Sequence, residues 1–185
     1  VTTLLAAADL SVDRFDQLSA ITVLVRTIVG LTLAAHGYKK VFLGGKLAGT
    51  ARWFDSIGMK PNGTIHAYLA AATELGCGIL MVLGLLTPFA AAGYVGLMIV
   101  AAWVDHRPKG YWSNDGWEYV SVLGTFAAFL AAVGPGRYSL DWAIGLDLSF
   151  EPVTAFTIAV GLGAVAGIGL IVTCYRPPAP ADGAA

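Results

Sequence analysis

Charge is what this sequence has least of. Only 12% of its 185 residues are Asp, Glu, Lys or Arg, against roughly 25% in an ordinary soluble domain. The net charge is −1, and no soluble stretch interleaves basic residues with aromatics, which excludes nucleic acid as a partner. Cys77 and Cys174 are the only cysteines and form no C-x-x-C, which excludes thiol–disulfide relay chemistry. Both read as small apolar packing groups. There is no H-x-x-x-H, no acidic cluster and no cofactor-attachment motif, so no metal site is assigned. The opening VTTLLAAADLSVDRFDQ carries Asp9, Asp13 and Asp16 and lacks the basic start of a signal peptide.

What is present is apolar. The chain is 57% hydrophobic with a mean hydropathy of +0.71. Five apolar segments can be drawn, at about 18–38, 65–86, 89–105, 117–134 and 153–175. A helix of about 20 residues matches the ~30 Å hydrocarbon core of a bilayer. The expectation is an all-α integral membrane protein, an antiparallel four-helix bundle over 18–143 with an added fifth transmembrane helix. The third and fourth segments are short and need interfacial aromatics or local bilayer thinning. Residues 1–17 read as an extracytoplasmic segment, and 144–175 as an outer loop leading into the fifth helix. Thr87-Pro88 reads as a tight turn, and the proline-rich 176–185 as a disordered tail. Residues 46–58 alternate Leu47, Ala51, Trp53 and Phe54 with Lys46, Arg52 and Asp55, which suggests a helix lying flat at the interface.

Lys and Arg outside the spans give the orientation. The face at the end of the first segment holds Lys39, Lys40, Lys46, Arg52, Lys60, Arg107, Lys109 and Arg176, against Arg14 and Arg137 on the other. The positive-inside rule puts that basic face in the cytoplasm, with the N-terminus outside and the C-terminus inside. A bacterial-type plasma (inner) membrane is the expected location.

Inside the spans, Arg26 costs about 2.5–3.5 kcal/mol to insert and needs a partner. Counted from the helix ends, Arg26 lies roughly 12 Å deep from one side and Glu74 roughly 13 Å from the other. In a ~30 Å core these depths nearly meet, so the two are expected to pair. Gly30, Leu33 and Gly37 share the Arg26 face, while Ala67, Ala70, Gly78 and Met81 share that of Glu74; small residues of this kind suit close helix contact. Glu118, Ser121 and Thr125 run down the fourth segment. Arg26, Glu74, Glu118, Ser121 and Thr125 are therefore read as a buried polar seam, either a structural ion pair or a proton or substrate site.

His36, His66 and His106 sit at the basic ends of three different segments. Facing imidazoles can ligate haem or a metal, and interfacial histidine is also ordinary. An apolar ligand with a polar head, such as a quinone, would find His36 and Lys39 beside Trp53, Phe54 and Trp117 at that depth. In the fifth segment Gly163 and Gly167 form a G-x-x-x-G, for packing within this bundle or against another chain.

Taken together, Arg26 followed by His36-Gly37-Tyr38-Lys39, Phe42 and Gly44-Gly45, then Glu74 in ELGCGILMVLGLLTPFAA, then GPGRYSLD ending at Asp141, resemble the DoxX family of small membrane proteins. The resemblance covers about residues 18–143. It implies a four-helix membrane domain and association with membrane redox assemblies, the family name coming from a subunit linked to a thiosulfate:quinone oxidoreductase. The fifth helix and proline-rich tail depart from that pattern. The expected function is a quinone-interacting or accessory subunit of a membrane oxidoreductase complex, with other membrane subunits as partners and no covalently bound cofactor. The alternatives are a purely structural assembly subunit and, with no inverted repeat or broken-helix pair in view, a small transporter.

Overall fold

A computed structural model of the chain describes residues 2–112, 115–146 and 150–178, with side chains from residue 14 onward. The elements are α1 (Thr2–Phe42), α2 (Lys46–Ser56), α3 (Gly63–Leu83), α4 (Thr87–Ala101), α5 (Glu118–Val133), α6 (Leu140–Ala143) and α7 (Pro152–Cys174). One π turn, Ala102–His106, and one 3-10 turn, Arg107–Lys109, prolong α4. No strand occurs among the described residues, only an isolated bridge between Met59 and Tyr175. The protein is all-α, as its periodicity predicts.

Among the described residues four stretches are long and apolar enough to cross a membrane: Arg14–Phe42, Gly63–Leu83, Thr87–Lys109 and Pro152–Cys174. The fifth, α5, has 16 residues, about 24 Å of helix, and is the short member. Outward rows such as Ile21, Leu24, Ile28 and Leu31 on α1, or Val165 and Val172 on α7, are exposed. Water would penalise such rows, and hydrocarbon would not.

The packing follows the small residues. The principal pairs are α1 with α3 and α4 with α7, while α5 leans on α4 and α2 on α3. Gly30 and Gly78 let α1 and α3 touch backbone to backbone. The G-x-x-x-G of α7 is spent inside the bundle, because Gly163 and Gly167 abut the carbonyls of Ala92 and Gly96 on α4. Tyr94, fully buried, fills the centre and donates its hydroxyl to the Val29 carbonyl at 3.2 Å. A second cluster of Ala51, Phe54, Met59, Ala67, Ala70 and Val104 ties α2 to the basic ends of α3 and α4.

Three details differ from the sequence reading, while the helix expected within 46–58 is present. The first helix starts at Thr2 rather than near residue 18 and runs to Phe42, because Ala- and Leu-rich TLLAAADL holds no glycine or proline to stop it. The turn between α3 and α4 lies at Gly84–Leu86, and Pro88 belongs to the first turn of α4, where its missing N–H costs nothing. Residues 46–58 hold the helix Lys46–Ser56. The start of the tail is held rather than loose: Arg176 N donates to Gly58 O at 2.9 Å and Lys60 N to Cys174 O at 2.7 Å. Residues 179–185 of that tail lie outside the described residues.

Candidate ligand cavity at the basic end

The expected seam divides into two centres at opposite ends of the bundle. Arg26 is buried, 3% exposed, and its guanidinium donates to Val82 O at 2.6 Å and to the Tyr138 carbonyl. It thus satisfies a carbonyl of the last turn of α3, where the helix dipole also favours a cation. Asp141 is the carboxylate that acts on it, held by Leu86 N at 3.1 Å. Gly84, at φ +63, admits the guanidinium; a Cβ there would lie 2.4 Å from an Arg26 nitrogen. Beside this knot Arg137 meets Asp16 at 2.6 Å and joins the α5–α6 connection to α1. That Asp16 hydrogen bond raises the already high pKa of Arg137.

Glu74 belongs to the other end. The Arg26–Glu74 pairing is therefore corrected: Glu74 Oε1 meets Lys40 Nζ at 2.5 Å. The reason is register. Gly37 sits against Glu74 and Leu75, while Gly30 sits against Gly78 and Val82, so Arg26 falls beyond Val82, eight residues or roughly 12 Å along α3 from Glu74. Nor do the α5 residues join either centre. Glu118 accepts from Trp112 N at 3.1 Å and closes the loop before α5. Ser121 and Thr125 return their hydroxyls to Trp117 O and Ser121 O, each at 2.8 Å, and line a lateral groove with Met98, Phe129 and Phe156.

Around the Lys40–Glu74 pair lies a cavity of about 350 Å³ reached by α1, α2, α3, α4, α5 and the turns after α4. Its polar groups include His36, Lys40, Glu74, His106 and Tyr119, and its aromatic wall is Trp53 and Phe54. Of the five residues expected to contact a ligand, His36, Trp53 and Phe54 line it; Lys39 and Trp117 do not. Lys40 takes the place of Lys39, since i,i+4 spacing puts it on the His36 face. Trp117 packs instead on Tyr111, centroids 4.7 Å apart.

The histidines part company as well. His66 Nε2 donates to Lys60 O at 2.7 Å and His106 Nδ1 to Asp115 O at 2.6 Å. His36 makes a ring contact with Tyr119, centroids 6.5 Å apart. No group of three His, Cys, Asp or Glu among the described residues could hold a metal. The feature with most chemical consequence is Glu74 Oε2, buried with no hydrogen-bond partner among the described residues. A buried polar atom of this kind is costly unless something satisfies it.

Lys40, Tyr119 and Asp141 escaped the sequence reading. Lys40 was counted only as an interfacial charge because the first helix was ended at Tyr38, and Asp141 stood only as the end of GPGRYSLD. Nothing in spacing alone pointed to Tyr119.

The DoxX family model matches residues 21–107, the part of the chain carrying α1 to α4 and the Lys40–Glu74 pair. The uncharacterized membrane protein Rv3486 of Mycobacterium tuberculosis is 33% identical over 128 residues, 63% of this chain and 77% of that protein. Inner membrane protein YphA of Escherichia coli is 30% identical over 128 residues, 64% of this chain and 86% of that one. The Bacillus subtilis protein named "Putative oxidoreductase CatD" is 31% identical over 121 residues, 65% and 84% of the two chains. No solved structure matches the chain. With this match and these relatives, the chain belongs to the DoxX family of membrane proteins.

Proposed function

We propose that this protein is the ligand-binding membrane subunit of an oxidoreductase complex, taking a quinone in the cavity beside Lys40 and Glu74. The observation that carries the reading is Glu74: one carboxylate oxygen is held by Lys40, and the other is buried without a partner among the described residues. A carboxylate oxygen accepts a hydrogen bond from the hydroxyl of a reduced ligand, and a carboxyl donates one to a carbonyl. Lys40 holds the group in place from the edge of the cavity, and His36 offers a second ring nitrogen. Trp53 and Phe54 supply flat apolar surface for the ring. This chain carries no cofactor-attachment motif, so the electron-transfer partner is assigned to another subunit. The oxidoreductase in the name of the Bacillus subtilis relative agrees with this class of chemistry. The Lys/Arg bias supports a bacterial plasma membrane orientation with the N-terminus outside and the cavity toward the cytoplasm.

Gentle purification from the native membrane, with quinone measured per chain, tests the reading. Wild type is expected to retain near-stoichiometric quinone and Glu74→Gln to lose most of it. Quinone absent from both would sink the proposal.

One observation favours a second reading, an assembly subunit without a ligand. Gly161 and Gly169 of α7 face open space, with nothing within 4 Å of an added Cβ, and could receive a helix of another subunit. Gly161→Leu/Gly169→Leu would then strip neighbouring subunits from the purified protein while leaving bound quinone unchanged.

A further inference from the structure

Behind the cavity at Lys40–Glu74 lies a second, narrower one of about 180 Å³ between α2, α3, α4 and α7. Phe54, Ala70, Leu97 and Val100 line both, so the two spaces are separated by one layer of side chains. Their chemistry differs sharply. The rear slot is walled by residues such as Met59, Gly93, Gly96, Ala166 and Leu170. Its polar side chains are Thr73 and His66, and the His66 ring already donates to the Lys60 carbonyl. Such a slot has almost nothing to hold a polar head and suits a flexible hydrocarbon chain.

Glycine makes the room. Gly93 and Gly96 on α4 and Gly167 on α7 line it, and the α4–α7 contact is so close that a Cβ on Gly167 would lie 2.7 Å from the Gly96 carbonyl. Leu69 on α3 and Ala166 on α7 line the slot and are themselves exposed, so it opens toward the bilayer between these two helices. Phe54 stands between the two spaces, its ring 4.8 Å from Trp53 and 5.9 Å from His66. Phe54 is buried in the cluster around Met59 and Ala67, so its ring is the side chain that a ligand spanning both spaces has to pass.

We propose that the two cavities form one site for a long-tailed amphiphile. The ring lies at Lys40–Glu74, and its isoprenoid tail passes Phe54 into the slot and leaves between α3 and α7. This rests on the quinone reading above and adds the substrate class: a lipid-soluble, prenylated quinone rather than a small water-soluble one. Tail and slot are both apolar and so is lipid, so the slot contributes selection by shape more than raw affinity.

The test uses purified full-length protein in phosphatidylcholine nanodiscs. Quenching of tryptophan fluorescence, with Trp53 in the ring cavity, reports binding of two benzoquinones with one ring, without a tail and with two isoprenoid units. Wild type is expected to bind the tailed compound several-fold more tightly on a per-lipid basis. Ala166→Phe, at a position that lines the slot and not the ring cavity, should abolish that preference and leave the tail-less affinity unchanged. Thr73→Leu, filling it from α3, should do the same. Equal binding of both compounds by wild type, or a preference that survives both variants, overturns the tail assignment while the ring site stands; the slot would then hold a phospholipid acyl chain. If neither compound binds wild type, the ring site falls and the tail assignment with it.

Discussion

Gly30 on α1 and Gly78 on α3 meet with no side chain between them. A Cβ on Gly30 would lie 2.6 Å from the Gly78 carbonyl oxygen, and one on Gly78 would lie 2.7 Å from the Gly30 carbonyl oxygen. In a bilayer, where lipid competes equally for apolar surface, this close approach is what holds two helices together. It also fixes their register, and hence which charges can meet.

Gly78→Val is accordingly expected to lower stability by about 1–3 kcal/mol, the usual cost of overpacking, because both obstacles are backbone atoms that cannot swing aside. Gly76→Ala, two residues away with nothing within 4 Å, is the control and should be neutral or slightly stabilising through helix propensity. Thermal unfolding in mild detergent compares the two. Equal losses would show that the α1–α3 contact is looser than described.

The helical segments and their inward faces were legible because hydropathy and small-residue spacing are local properties. Gly30, Gly37 and Gly78 all lie where the 3.6-residue period puts them. The charge pairing was not legible, because depth arithmetic depends on where each helix ends. Setting the end of the first helix at Tyr38 instead of Phe42 excluded Lys40 from the membrane interior and left Arg26 as the only visible partner for Glu74. Asp141 was still harder to foresee. It lies on α6, held by Leu86 N, and its charge acts on Arg26, a relationship between distant parts of the chain that no periodicity encodes.

Lys40 and Glu74 should show strong, asymmetric coupling. Lys40→Met leaves the buried Glu74 carboxyl without its ion-pair partner, whereas Glu74→Gln leaves a lysine with a flexible stem that can turn outward. The first is expected to cost more stability than the second. The double variant should be milder than the sum by about 1–3 kcal/mol, as for contacting partners. A coupling near zero would mean that the 2.5 Å contact contributes nothing.

Gly58 is a backbone requirement outside the spans. Its φ is +90, and a Cβ there would fall 1.9 Å from the Arg176 carbonyl oxygen. Gly58→Ala is therefore expected to detach the segment after Cys174 from the 58–60 turn, breaking the Arg176–Gly58 and Lys60–Cys174 hydrogen bonds. Limited chymotrypsin digestion reads the outcome through cleavage after Tyr175, which bridges to Met59 and should be cut much faster in the variant. Unchanged cleavage would show that this segment is not anchored there.

Arg26 provides the sharpest test of the two-centre arrangement. Hydrogen bonds from a charged donor are worth roughly 1.5–3 kcal/mol each, and Arg26 makes two to backbone carbonyls. Arg26→Met is expected to lower the melting temperature by several degrees, since about 1 kcal/mol moves a protein of this size by roughly 2–4 °C. Combined with Glu74→Gln its effect should be additive within about 0.5 kcal/mol, because the two sites lie apart and share no partner. Combined with Asp141→Asn it should not be additive, since Asp141 is the carboxylate whose charge acts on the guanidinium. A coupling of Arg26 to Glu74 larger than its coupling to Asp141 would restore a single seam through the bundle and refute the separation of the ligand cavity from the Arg26 knot.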